Sequence, residues 1–306
     1  MNEFVGSASE GREGNALATL QLLKSFRTTV HQSALVHVEH SGVAGSVSEV
    51  AGYETNFQVA LPYFGVFAYT TGRRSWLIDA NRVFFASPGW EFFEHHPQAI
   101  GHTAVLVNPS RELLEEICGS PGPNKSSAFM DASRPATMRL RLLTHQILRL
   151  GTSPVEPLLK DEWVIHTLHE AMRISGRPKS ISSRAVGRAK EFLHAHSGER
   201  LSLEQISRHV GVSPVYLTQE FKRSEGIPLY RYQMQLRLTR ALSDLPDCVD
   251  ITGLALDLGF SSHSHFTSVF RHEFGLTPSE YRLTIGSERL LVANLFRFEA
   301  HKRRHA

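Results

Sequence analysis

Histidine and glutamate crowd one stretch of this 306-residue chain: His37, Glu39, His40, Glu91, Glu94, His95, His96 and His102. These types supply the imidazole and carboxylate groups that first-row metals take as ligands. Their spacing argues against a site. His37 and His40 are three apart, so on one strand they point to opposite faces. The adjacent pair His95 and His96 has the same defect and precedes Pro97, as at a strand end. The sequence thus predicts no metal and no cofactor. Nucleophilic and phosphate chemistry fare no better, because G-x-S-x-G, H-E-x-x-H and the phosphate-binding glycine loops are all missing. Cys118 and Cys248 stand far apart, too few for a zinc knuckle or for the cysteine chemistry of a DNA-repair methyltransferase. They read as reduced thiols, and the chain does not read as an enzyme.

A second set of residues carries a different chemistry, hydrogen bonding to base edges and phosphates. From Leu203, LEQISRHVGVSPVYLTQEFKRSEGIP nearly matches ITGLALDLGFSSHSHFTSVFRHEFGLTP from Ile251, with one residue added in the second copy. Gly211 pairs with Gly259 and Ser213 with Ser261; after the added residue Leu217 pairs with Phe266, Phe221 with Phe270, Lys222 with Arg271 and Gly226 with Gly275. Each copy holds a short amphipathic helix, a glycine able to take a left-handed turn, a serine cap and a second helix, which are the parts of a helix-turn-helix. Leu203, Ile206 and Val210 would be buried against Leu217 and Phe221. In the second copy Ile251, Leu254, Ala255 and Leu258 would face Phe266 and Phe270.

The second helix of each unit offers polar residues at its N-terminal end, where a recognition helix meets the major groove. In the first unit these are Pro214, Val215, Thr218 and Gln219, with Tyr216, Lys222 and Arg223 toward phosphates. Gln219 is the best base reader, since its amide can pair bidentately with adenine, and Val215 could meet a thymine methyl. In the second unit they are His263, Ser264, Thr267 and Ser268, with Arg271 on the backbone. The plainer alternative is that Ser264 caps its helix and that His263 and His265 are surface residues. Between the copies PLYRYQMQLRLTRALSDL reads as a helix of about 17 residues, roughly 25 Å long at 1.5 Å per residue. Such a rod could set the units about one DNA turn apart, near 34 Å.

Residues 184 to 285 resemble the DNA-binding domain of the AraC/XylS family of bacterial regulators. Ala255, Gly259, Phe260, Ser264, Phe266, Phe270, Arg271, Gly275, Thr277, Pro278, Tyr281 and Arg282 carry the likeness, with Arg237, Leu238 and Ala241 on the linking helix. Two departures stand out: Ser268, where the family often has a basic residue, and Gly253 inside a helix, at a cost of about 1 kcal/mol relative to Ala. They suggest that the second unit holds DNA more loosely.

The rest of the chain must position these units. Short strands are expected from about Ser33 to Asn108 (LVHVEH, FGVFAYTT, SWLIDA, RVFFAS, WEFFEH, HTAVLVN), evenly spaced as in a small barrel or sandwich. Through DANRVFFASPGWEFFEHHP this stretch resembles the cupin-like effector domains of the family, although its His and Glu do not follow the usual metal-cupin spacing. Its aromatics, Phe57, Tyr63, Phe64, Phe67, Tyr69, Trp76, Phe84, Phe85, Trp90, Phe92 and Phe93, are read mostly as core. Helices follow in SRELLEEI, from about Pro135 to Leu150 and from about Pro157 to Arg173. Leu140, Leu143, Ile147 and Leu150 line one face, to pack on the barrel or, alternatively, to form a subunit interface.

The expected architecture is an α+β multidomain chain: an N-terminal segment (1–32), a cupin-like β-barrel (33–118), a helical connector and possible dimer interface (119–175), a linker (176–183), an all-α domain of two helix-turn-helix units joined by a long helix (184–285) and a tail (286–306). Charge alone would not have suggested DNA. The chain carries a net +3, and residues 184–285 hold about 12 Lys or Arg against 11 Asp or Glu. The tail adds about five basic residues against two acidic, and is read as solvated. No apolar run approaches the roughly 18 residues of a membrane span, and the opening MNEFVGSASEGREGN is not leader-like, so a cytoplasmic location is expected.

The reading is therefore a sequence-specific DNA-binding regulator, an effector-responsive activator by resemblance. Its expected partners are double-stranded promoter DNA, a small effector, RNA polymerase by family analogy and a second copy of itself. The alternatives are a first domain that only dimerises or binds a protein partner, and a cupin-type enzyme fused to a DNA-binding domain.

Overall fold

A computed structural model describes residues 25–45, 49–97, 100–118, 132–150, 156–173 and 183–284. The expected linker is mostly, and the tail wholly, outside the described residues. Among the described residues nine strands come first: β1 (Ser25–Gln32), β2 (Val36–Ala44), β3 (Glu49–Tyr53), β4 (Gln58–Thr71), β5 (Arg74–Asp79), β6 (Arg82–Ala86), β7 (Glu91–His95), β8 (Gly101–Pro109) and, after helix α1 (Arg111–Cys118), β9 (Ser133–Pro135). Helices α2 (Met138–Leu150) and α3 (Pro157–Arg173) complete this region. Every pairing is antiparallel, in the order β1-β2-β8-β4-β6-β9, with β5 and β7 also on β4 and β3 on β7.

Strand β4 organises the sheet because it changes partners along its length. Its first half pairs with β6 and β8, and its second half with β5 and β7. The change falls at a bulge between Pro62 and Phe64, followed by Gly65 at φ 78°. A Cβ there would run into the Gly101 carbonyl oxygen, so only glycine lets β4 and the start of β8 approach so closely.

Three expectations need correction. The segment before Ser33 contains strand β1, whose Thr-rich, largely exposed sequence SFRTTVHQ carries little apolar alternation, as suits an edge strand. The weak alternation of EVAGY likewise hid β3, which sits on β7. The stretch read as a helical connector includes β9, too short for periodicity to reveal, which adds to β6.

One face of the sheet, through Val36, Val38, Val59, Phe85 and Val107, packs on Leu113 of α1, on Leu140, Leu143 and Ile147 of α2, and on Trp163, Val164 and Leu168 of α3. The α2 stripe is thus covered within the chain, and it offers no support for a subunit interface. Phe67, Tyr69, Trp76 and Phe84 form a separate buried cluster with Trp90 and Phe92 against it, so most of the aromatics serve as core.

The helical region holds α4 (Arg184–Ala195), α5 (Leu203–Val210), α6 (Pro214–Glu225), α7 (Leu229–Asp244), α8 (Ile251–Asp257), α9 (His263–Phe274) and α10 (Pro278–Thr284). Two cores stand on α7. One joins Val186, Leu193, Ile206, Val210, Leu217, Phe221 and Tyr232. The other joins Leu238, Leu242, Ala255, Leu258, Phe266, Phe270 and Tyr281.

The two regions interlock. Ala80, in the β5–β6 turn, belongs to the first helical core, while Met138 and Leu142 on the far side of α2 belong to the second. Around Ala80, Asp79 pairs with Lys190 of α4 and accepts the Tyr232 hydroxyl at 3.0 Å. Arg82 lies 3.5 Å from Glu225 at the end of α6. Arg141 of α2 donates to the Gln235 side chain at 3.2 Å and to the Thr239 hydroxyl at 3.3 Å on α7.

Candidate nucleic-acid interface

Each helix-turn-helix unit is built by the same local rules. Helix α5 starts at a capping box, Ser202 accepting from the Gln205 N–H while the Gln205 side chain accepts from the Ser202 N–H. It ends at Gly211 in the left-handed region, and Ser213 caps α6, with Pro214 in its first turn. In the second unit Gly259 takes φ 81°. The cap of α9 is Ser262, whose hydroxyl accepts from the His265 N–H at 3.1 Å. Neither Ser261 nor Ser264 fills that role: Ser261 instead meets His265 Nδ1 at 3.0 Å, and Ser264 is exposed inside the first turn. The added residue lies in this turn, which is why pairing Ser213 with Ser261 misplaced the cap by one.

Helix α6 buries Leu217 and Phe221 completely and turns the opposite side outward. Val215 and Tyr216 are exposed, 65% and 48%, as are Gln219, Lys222 and Arg223, with Pro214 and Thr218 partly so. The Thr218 hydroxyl donates back to the Val215 carbonyl at 2.9 Å, which occupies its donor. Arg223 is not a free cation, because its Nε and Nη2 reach both oxygens of Glu220 at 2.9 and 2.6 Å. That hydrogen-bonded pairing raises the Arg223 pKa. Among the described residues no carboxylate holds Lys222. Thr218, Gln219 and Lys222 also edge a cleft of about 460 Å³ shared with Pro228 and the exposed Tyr230 of α7. Sequence reading passed over Tyr230, although it follows the unit's closing Gly226 by only four positions.

Helix α9 repeats the arrangement. Phe266, Phe270 and Phe274 are buried, and His263, Ser264, Thr267, Ser268 and Arg271 line one continuous outer groove. The Thr267 hydroxyl is 3.5 Å from His263 Nε2 one turn earlier. Among the described residues no carboxylate holds Arg271.

Helix α7 fixes one unit to the other. Arg237 donates to the Gly259 carbonyl and to the Glu199 carbonyl, both at 2.9 Å, so one guanidinium ties the second turn to the segment before α5. Arg231 at the start of α7 pairs with Glu273 of α9 at 2.7 Å. At 16 residues α7 is about 24 Å long, close to the length its sequence predicts.

The family described as helix-turn-helix domain matches residues 206–284, both units together. Regulatory protein PocR of Salmonella typhimurium is 34% identical over 175 residues, 57% of this chain and 54% of that protein. An HTH-type transcriptional regulator of Staphylococcus aureus is 31% identical over 129 residues, 42% of this chain and 17% of that one. A solved transcriptional regulator of Chromobacterium violaceum with an AraC-type DNA-binding domain is 34% identical, covering 34% of this chain and 94% of that chain, with a TM-score of 0.32. Residues 206–284 are a helix-turn-helix domain of the AraC type. The chain spans about half the length of PocR and about a sixth of that of the staphylococcal regulator. Among the described residues no helix is long and apolar enough to cross a membrane.

One grouping lies outside this interface. Glu94, His96 and His102 converge inside the sheet region. Reading His95 with His96 missed it, because the residues that share a face are Glu94 and His96, two apart, with His102 on the next strand.

Proposed function

We propose that the chain is a sequence-specific DNA-binding transcription regulator, and that its AraC-type domain (184–285) reads two adjacent subsites through α6 and α9. The carrying observation is that each of these helices buries an aromatic or leucine stripe and leaves a polar outer face with a cation near its end, Lys222 or Arg271, that no carboxylate holds among the described residues. Gln219, Val215 and Pro214 would read bases in the first subsite, and His263, Ser264, Thr267 and Ser268 in the second. Tyr216, Lys222 and Arg271 would hold phosphates, with Arg223 beside them but engaged by Glu220.

The strand-rich region (33–118, extended here to β1) is read as a cupin-like effector barrel, with activation through RNA polymerase by family analogy alone. Interlocking contacts support effector response: the β5–β6 turn sits in the core of the first unit and α2 in that of the second. A ligand that shifts the sheet against these contacts would change how both units are held. The test is genome-wide selection of bound fragments at fixed salt, with Gln219→Ala beside the parent. Two short motifs about one turn apart, one relaxed by the substitution, are expected. Salt-sensitive binding without a motif would refute the operator-reading assignment.

A further inference from the structure

Glu94 and His96 project from the same side of β7 and its continuation, and His102 stands near the start of β8. Glu94 Oε1 lies 3.0 Å from His96 Nε2 and 3.4 Å from His102 Nδ1, and the two ring nitrogens are 2.9 Å apart. The side chains are 12%, 0% and 6% exposed. The backbone is shaped to bring them together. The bulge in β4 and the close approach of Gly65 to Gly101 seat His102 beside β4, where its ring stacks on Phe67 at 4.1 Å. Tyr69 of β4 is opposite Glu94.

A hydrogen-bonded cluster accounts for only part of this. A single proton between the rings satisfies His96 Nε2 and His102 Nδ1, yet Glu94 Oε1, 3.0 Å from His96 Nε2, is left without a well-aligned hydrogen bond among the described residues. A buried carboxylate oxygen left this way is costly. The three atoms instead form a triangle with edges of 2.9, 3.0 and 3.4 Å. Ligand atoms about 2.0 to 2.1 Å from a tetrahedral ion stand roughly 3.4 Å apart, so small outward movements of the rings would admit one.

We propose that Glu94, His96 and His102 form a binding site for one divalent transition-metal ion in the sheet region of this chain. Two imidazoles and a carboxylate select zinc, or another borderline first-row ion, over magnesium and calcium, which prefer all-oxygen shells. Three protein ligands leave a position for water or for an oxygen of a small molecule, and the partial exposure of Glu94 puts it at the open side. The ion would also clip β7 to β8. This reverses the absence of metal read from the sequence, and it stands whether or not the chain reads an operator.

The experiment takes the full chain, stripped by chelator and dialysed, then titrated with Zn²⁺ or Co²⁺ and followed by metal analysis, the visible absorption of Co²⁺ and melting temperature. One equivalent should bind, with a Co²⁺ spectrum of low coordination number and a raised melting temperature. Glu94→Gln, which keeps the side-chain shape, and His96→Gln should each weaken binding beyond the roughly 10 to 100-fold lost with an outer-shell partner. His95→Gln, on the exposed face of the same strand, should change nothing. A folded parent that takes up no metal overturns the proposal. So does binding that survives Glu94→Gln, His96→Gln and His102→Gln alike.

Discussion

Asp79, at the end of β5, and Lys190, in α4, form an ion pair with both side chains out of solvent, 0% and 1% exposed. Burial alone would raise the Asp79 pKa. The Lys190 ammonium, His194 and hydrogen bonds from Lys190 and the Asn81 N–H outweigh it and hold the carboxyl at about 2. Breaking such a pair strands a buried charge, whereas replacing both partners by apolar groups does not. Asp79→Asn should therefore destabilise the chain by about 3 kcal/mol, softened by Glu225, which also lies 3.5 Å from Lys190. The double change Asp79→Leu with Lys190→Met should recover most of the loss. Chemical denaturation of the three proteins measures this, and a double change as damaging as the single one would contradict it.

Glu220 sets the effective charge of α6 by holding Arg223 in a two-pronged pair. Glu220→Gln removes the negative charge and leaves Arg223 available to a phosphate. Binding to DNA of any sequence should tighten, and the slope of log affinity against log salt should steepen by about 0.9, the contribution of one phosphate contact. Lys222→Ala should make the slope shallower by a similar amount. Unchanged slopes in both would remove α6 from the DNA interface.

The two turn glycines are equal in backbone and unequal in surroundings. Gly211 and Gly259 both take φ near +80°. A Cβ on Gly211 would meet nothing closer than 4.0 Å, while one on Gly259 would lie 2.8 Å from Arg237 Nη2. Gly211→Ala should thus cost only the left-handed strain, about 1 to 2 kcal/mol. Gly259→Ala should cost at least about 1 kcal/mol more, since it also displaces the Arg237 hydrogen bonds. Equal losses on unfolding would show that Arg237 yields freely.

The two units could be read from sequence because each copy corroborates the other: Phe221 and Phe270 each stand five residues before a closing glycine, Gly226 and Gly275, and both are fully buried. Periodicity of 3.6 also located α2 and α3. It could not show where the sheet region meets the helices, because that junction rests on single residues such as Asp79, Arg82 and Arg141, whose partners lie about 94 to 153 positions away. The Glu94, His96 and His102 grouping was hidden for a related reason. An alternating pair is ordinary in a strand, and its third member is brought in by the bulge in β4, which no local pattern announces.

Three histidines away from that grouping give the chain a definite acid response. Burial lowers His40 and His194 to about 4, and burial together with the charge of Arg149 lowers His145 to about 3. The unfolded chain titrates each near 6.5, so between these values it binds protons that the folded chain does not. Folded pKa values below the unfolded ones mean that the stability is present in full above about pH 6.5 and is lost as pH falls toward 4 and 3. Asp79 adds nothing in this window, because its contribution disappears only as pH falls from 3.8 toward 2. Unfolding free energy should be flat from pH 7 to 8 as far as these groups are concerned, then fall with a slope of up to about 1.4 kcal/mol per pH unit for each proton taken up. His145→Gln should reduce that slope by one proton between about pH 6 and 4, whatever it does to the plateau. Its ring meets Tyr63 edge-on at 5.2 Å, and among the described residues Nε2 has no hydrogen-bond partner that would favour the charged form. Measured slopes that match between the parent and His145→Gln would place the acid-sensitive step elsewhere.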